Sequence, residues 1–417
     1  MKNRIQIMFC TGFFLLIQFF GNAQINKNHE FLKRIGIKDS LYSETLKEQR
    51  AVYIQLPNDY NPESNQKYPV AFIIDGDVLL PTVSHVHDYY SGGFIPEMVL
   101  VGISNANNRT RDLTTSKITE KFGMPFNVEN GAADNFSKFI QSELIPFIEN
   151  KYPVTNFRTL IGHSYGGLFT INMMLNHPHL FNNYLAIDPS LDWDNQKLMK
   201  EAKALLPNQD YTNKSFFMSL GGQLHMQDYT ITIDNVMEDT SDYTLFARSN
   251  ITFYNMVKQN AKNGLSFDWK FYPRDLHGTI PFPSIMDGLI SLFEWYQMEN
   301  TDKINSFDTP KEELFSIIKY RKKKLQKHFG YSEPPYPEQL LNMSGYMNMD
   351  MQQPEKAKMY FELAIEFYPE SANAYDSMAD YYEAQDDFTN AIKYVTKAFD
   401  KNPNEHYKQR IEALKKR

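Results

Sequence analysis

The chemistry of this chain is concentrated in the run Thr159-Leu160-Ile161-Gly162-His163-Ser164-Tyr165-Gly166-Gly167. It reads as an apolar strand end, a sharp turn with Ser164 at its tip, and a helix that opens on two glycines. The spacing Gly162-x-Ser164-x-Gly166 is that of a nucleophile elbow. Residues two before and two after the serine must be small to clear the neighbouring strand and helix. The helix behind the turn aims its first N–H groups at the oxygen of a reacting carbonyl. The reaction class implied is acyl transfer through a serine.

A serine hydroxyl attacks poorly until a base removes its proton. In a strand–turn–helix fold of this kind the base follows the last strand. His277 stands there, between the strand at Phe267–Tyr272 and a closing helix expected at Ile285–Tyr296. His225 is a distant second candidate, and His163, beside the nucleophile, is expected to point away from the reaction. His85 and His87 form an H-x-H without a carboxylate or third ligand at a metal-site spacing, so they read as helix-face residues. No metal and no cofactor are expected.

The third member is harder to place. An acid is expected in the loop after the strand Phe216–Leu220, to orient the imidazole and stabilise its cation. That loop begins Gly221-Gly222-Gln223, with Gln223 where a carboxylate would be most natural. Either Asp228, Asp234 or Asp239 reaches back, or a Ser–His dyad works without an acid. Asp275 is too close in sequence to His277 to be an obvious partner. The oxyanion hole calls for two backbone donors. One is the N–H of Tyr165; the other belongs to Gly76 or Asp77, after the strand Tyr68–Ile74, where glycine would admit substrate close to the backbone.

These residues need a scaffold. Apolar runs at 51–56, 68–74, 98–103, 159–161, 184–187, 216–220 and 267–272 read as strands, and a helix is expected over about Ala132–Asn150. Alternation of strands and helices predicts an α/β-hydrolase fold, a mostly parallel sheet with helices on both faces. Each candidate catalytic feature falls just after a strand.

The first 23 residues read as a signal peptide. Lys2 and Arg4 precede the apolar Ile5–Phe20, and Gly21-Asn22-Ala23 offers small residues for cleavage before Gln24. Cys10, the only cysteine, lies inside it, so the mature chain would hold no disulfide or thiol site. A periplasmic or secreted location follows, with no membrane span after cleavage. The net charge of -7 and mixed charge pattern argue against a nucleic-acid binder.

The esterase domain is expected over 24–300, followed by a helical, Pro-rich connector over 301–337. Beyond it, Ala357, Phe361, Ala364 and Pro369 recur as Ala391, Val395, Ala398 and Pro403, a period of 34. Small residues where helices cross, at this period, mark two tetratricopeptide-like repeats with a capping helix over 338–417. Such repeats commonly engage a protein partner.

Several blocks resemble the Putative esterase family, which holds esterase D, the enterochelin esterases and the feruloyl and acetyl-xylan esterases. They are Val70–Asp77, Ile95–Ile103, Thr110–Thr114, Gly162–Gly167, Asp188–Trp193 and His277–Pro281. The resemblance runs from about Gln49 to Trp295. It implies Ser164 as nucleophile, His277 as base, no cofactor, and Arg111 lining the substrate pocket, the alternative for Arg111 being a structural pair with Asp112. Gln223 departs from the acidic residue many relatives carry near that place, which leans towards siderophore-esterase-like members that work as dyads. The expected activity is an exported serine carboxylic-ester hydrolase acting on siderophore-type or acyl-sugar esters. The alternatives are an acyltransferase, or a repeat-based scaffold with a weak or relic hydrolase domain.

Overall fold

The computed structural model describes residues 36–417 except 59, 64, 65 and 122. The signal-peptide reading therefore lies outside the described residues. Eight strands form the main sheet: β1 (Ile37–Ser43), β2 (Glu48–Gln55), β3 (Tyr68–Ile73), β4 (Val99–Ile103), β7 (Val154–His163), β8 (Asn183–Ile187), β9 (Ser215–Gly221) and β10 (Ser266–Tyr272). A separate hairpin of β5 (Glu120–Lys121) and β6 (Met124–Pro125) stands in the polar stretch after β4.

The sheet order is β1-β2-β4-β3-β7-β8-β9-β10. From β4 to β10 all neighbours are parallel, while β1–β2 and β2–β4 are antiparallel. β3, β4 and β8 are buried along their whole length, as expected of strands covered by helices on both faces. β1 escapes the sequence pattern because it is an edge strand with half-exposed residues.

Helices α1 (Gly76–Tyr90), α2 (Arg109–Leu113), α3 (Ala133–Phe139), α4 (Ile145–Lys151), α5 (Tyr165–Asn176), α6 (Trp193–Leu205), α7 (Leu245–Gln259) and α8 (Pro281–Leu292) flank the sheet. The single helix expected over 132–150 is interrupted by a π turn at Ile140–Leu144. α5 is apolar all round, with its ten residues Gly166–Leu175 buried. That is the pattern of a helix enclosed by protein rather than lying on a surface.

After the short α9 (Thr301–Ile304) comes α10 (Lys311–Phe329), the expected connector, which belongs to two cores at once. Its C-terminal Leu325 and Phe329 pack with Phe157, Leu292 and Phe293 under the sheet. Its N-terminal Leu314 and Ile318 pack with Leu341, Tyr360 and Leu363 of the repeats. Buried Arg321 locks the middle, donating to the carbonyls of Pro335 and Gln297.

The repeats are α11 (Glu338–Asp350) with α12 (Pro354–Phe367), then α13 (Ala372–Ala384) with α14 (Phe388–Lys401), closed by α15 (Glu405–Leu414). The 34-residue periodicity maps onto real packing, since Ala357, Phe361, Ala364, Ala391, Val395 and Ala398 are all fully buried. At Gly345 a Cβ would stand 2.4 Å from the Phe361 ring, so glycine permits the helix crossing. Among the described residues no helix is long and apolar enough to cross a membrane.

Candidate active site

β7 delivers Ser164 to its carboxyl end, and the chain reverses at once into α5. Ser164 adopts φ 61 and ψ −116, a conformation that non-glycine residues hold only when their surroundings enforce it. Its N–H donates to Ile187 O on β8, and its carbonyl accepts from Leu168 and Ser190. Two glycines of this run, Gly162 and Gly167, are required sterically. A Cβ on Gly162 would lie 2.2 Å from Gly166 O, and one on Gly167 2.9 Å from Pro189 Cβ.

The loop after β8 supplies the carboxylate that meets His277. Asp188 is 2 % exposed, and its Oδ2 lies 2.6 Å from His277 Nδ1. Its other oxygen accepts from the N–H of Gly221, and its own N–H donates to Ser219 O. Two fixed backbone contacts thus aim one carboxylate oxygen at the imidazole.

The carboxylate at His277 is therefore not one of those expected from the loop after β9. Asp228 accepts from Thr230, and Asp239 from Ser241, close beside their own positions in the chain. His225 turns to the backbone N–H groups of Gln227 and Asp228. The His277 ring meets Asp188, His163 and Phe246, so Asp234 is not its partner either. Gln223, rather than occupying an acid position, accepts from the backbone N–H of His277. Asp188 was visible in the sequence as the residue closing a strand, but it sits one strand nearer the elbow than expected.

His163 also departs from expectation. Its ring packs against that of His277, with centroids 4.6 Å apart, and it lines the cavity with Ser164. Burial, followed by the neighbouring His277, pushes its pKa down to about 4, and its buried Nε2 makes no well-formed hydrogen bond among the described residues.

The cavity at this point has a volume of about 340 Å³. Asp75, Asp77, Val78 and Arg109 complete much of its wall. Arg109 donates to Asp75 Oδ2 at 2.9 Å and to the carbonyl of His163 at 3.1 Å. Burial raises the Asp75 pKa, and Arg109 opposes that rise.

Arg111, the expected pocket residue, instead grips Glu48 with two N–H groups and Asp112 with a third. Asp112 is fully buried and also paired with Arg50. Arg111 therefore ties α2 to β2, and Arg109 is the arginine of α2 that reaches the cavity. α2 is short, and residues two apart on a helix point to different sides.

Tyr165 begins α5 and Gly76 begins α1, so each offers an N–H from a helix first turn, where no preceding carbonyl is available. Asp75, at φ 54, makes the turn into α1. Gly76 owes its identity to packing: a Cβ there would lie 2.4 Å from the Gly102 backbone. Asp77 accepts from Tyr53 and Ser104, which fixes the start of α1 at the cavity wall.

Ser164 Oγ lies 3.2 Å from Ser190 Oγ. His85 contacts Pro81 O, whereas buried His87 accepts from Met98 N–H, so this H-x-H is divided between helix surface and core.

The comparisons with known proteins agree with this architecture. Residues 43–241 match the family model described as Putative esterase, and residues 338–371 and 372–405 match that described as Tetratricopeptide repeat. Ferri-bacillibactin esterase BesA of Bacillus subtilis is 28% identical over 208 residues, covering 46% of this chain and 72% of that protein. Siderophore triacetylfusarinine C esterase of Aspergillus fumigatus is 29% identical over 33% of this chain and 49% of its own length. An IroE-like serine hydrolase from Shewanella oneidensis superposes with a TM-score of 0.65 at 26% identity, covering 80% of this chain and 99% of that one. The chain thus carries, in residues 43–241, a domain of the Putative esterase family of carboxylic ester hydrolases, and it continues into two tetratricopeptide repeats.

Proposed function

We propose that the protein is an exported serine esterase that acts through an acyl-enzyme on Ser164, with His277 as general base and Asp188 as its partner. The observation that carries this reading is the 2.6 Å contact between His277 Nδ1 and Asp188, in the cavity wall that also holds Ser164. With Nδ1–H held by Asp188, the Nε2 lone pair of His277 is free to take a proton.

In the first half-reaction His277 removes the Ser164 proton as Oγ bonds to the ester carbonyl carbon. The oxyanion that forms meets the N–H of Tyr165 and an N–H at the start of α1, from Gly76 or Asp77. Collapse breaks the bond to the alcohol oxygen, which leaves with the proton from His277. In the second half, water gives its proton to His277 as it attacks the acyl carbon, and collapse releases the acid while His277 returns the proton to Ser164 Oγ.

The substrate class we favour is siderophore-type esters, on the strength of what the relatives' names say they cleave, with acyl-sugar esters as the runner-up. We further propose export through a leader at residues 1–23, a periplasmic or secreted location, and a protein partner for the repeats.

An ester panel tests the reading: short p-nitrophenyl esters, feruloyl esters and a trilactone siderophore, each run on wild type and Ser164→Ala. Turnover lost by several orders of magnitude in the variant is the expected result. Equal turnover by both proteins rules the mechanism out, and no turnover by folded wild type returns the chain to a repeat-based binding role. Product analysis with added alcohol acceptors separates hydrolysis from acyl transfer.

A further inference from the structure

His163 ends β7, whereas Asp188 and His277 lie in the loops after β8 and β10, so no sequence spacing announces them as a set. One ring nitrogen of each histidine and one carboxylate oxygen of Asp188 all lie within 4.8 Å of one another. Two imidazoles and a carboxylate are the donors favoured by divalent zinc and its neighbours. A tetrahedral ion with bonds of about 2.0–2.2 Å would bring such donors to about 3.3 Å from one another. Modest rotation of the two rings would cover the difference.

A second feature points the same way. The His163 ring faces the backbone of His277, and its buried Nε2 makes no well-formed hydrogen bond among the described residues. Buried polar atoms are nearly always satisfied, so an orphan calls for an explanation such as an ion. Here it belongs to a ring packed at a 39° tilt against the histidine that pairs with the carboxylate.

We infer that this cluster is a binding site for a zinc-class divalent cation and that occupancy holds the esterase in an inactive state. Coordination through His277 Nδ1 and Asp188 displaces the proton that these two share, and the imidazole stays neutral by carrying a proton on Nε2 instead, exchanged through solvent. His277 then no longer accepts the Ser164 proton, because its partner carboxylate and its orientation are both committed to the ion. The inhibitory consequence rests on the serine-esterase reading; the binding does not.

The test separates the two. Zn²⁺ is titrated calorimetrically into full-length Ser164→Ala protein, which keeps all three ligands and has no nucleophile. One ion per chain is expected, with affinity reduced at least about ten-fold when His163→Asn is added. On unmutated protein, Zn²⁺ is expected to shield both His163 and His277 from diethyl pyrocarbonate, as mapped by mass spectrometry. That arm needs no variant to fold. Zn²⁺ affinity unchanged by His163→Asn, or bound Zn²⁺ that leaves both histidines fully reactive, overturns the site. Bound Zn²⁺ that protects the histidines yet leaves ester hydrolysis untouched overturns the inactive state alone.

Discussion

His277 Nδ1 and Asp188 Oδ2 lie 2.6 Å apart although 89 residues separate them in the chain. The contact joins the loop after β8 to the loop after β10, across β9, and Gly221 at the end of β9 donates to the same carboxylate. His277 is thus held by a carboxylate that is itself fixed by backbone, an arrangement that keeps the imidazole in one tautomer.

Asp188→Asn is expected to lower kcat by about 10³–10⁴-fold, because the amide offers His277 the wrong hydrogen-bond partner. Asp228→Asn and Asp239→Asn should leave kcat within about two-fold, since these carboxylates cap their own loops. Steady-state kinetics on one activated ester compares all three. An Asp228 or Asp239 effect as large as that of Asp188 would contradict the assignment.

The two arginines of α2 should separate by experiment. Arg109→Ala is expected to lower kcat/KM by about ten-fold or more, through loss of the cavity wall and of the group that holds Asp75 and the His163 carbonyl. Arg111→Ala should destabilise the fold by about 1–3 kcal/mol with kcat/KM nearly unchanged, because its partners are Glu48 and Asp112. Kinetics and urea melts on both proteins give the comparison.

His163 makes stability depend on pH in a defined direction. Its folded pKa of about 4 lies below the ordinary 6.5, so between these values the unfolded chain binds a proton that the folded chain refuses. Stability is therefore fully present above pH 6.5 and is lost as pH falls through 4, by on the order of 2 kcal/mol. His163→Asn should remove this contribution, giving a flatter dependence across that window in denaturant titrations. An unchanged slope would count against the burial of a neutral imidazole here.

Glycines near the site divide into two kinds. Gly162→Ala would drive a methyl to 2.2 Å from Gly166 O and should cost several kcal/mol or prevent folding. Gly278, next to His277, has nothing within 4 Å of the place a methyl would occupy, so Gly278→Ala should change stability by less than about 1 kcal/mol. Thermal melts of both variants check the contrast.

Much of this arrangement was legible in the sequence because it depends on local rules. The parallel strands announced themselves as short apolar runs, the elbow by its glycines, and the repeats by alanines at a fixed period. Asp188, Arg109 and the orientation of His163 were not legible in the same way. Each is decided by which loop crosses which strand end, and by which side of a short helix meets the cavity. β1 was silent because an edge strand with one exposed side needs no apolar run. The connector expected over 301–337 turned out to contain α10, whose opposite ends are buried in different cores, a property set by tertiary contacts.

An activated Ser164 reacts covalently with an active-site-directed fluorophosphonate. Intact-mass and peptide analysis of the full chain should find one adduct, on the peptide containing Ser164, lost in Ser164→Ala and formed far more slowly in His277→Ala. An adduct that persists in Ser164→Ala, or none on folded wild-type protein, would contradict the account.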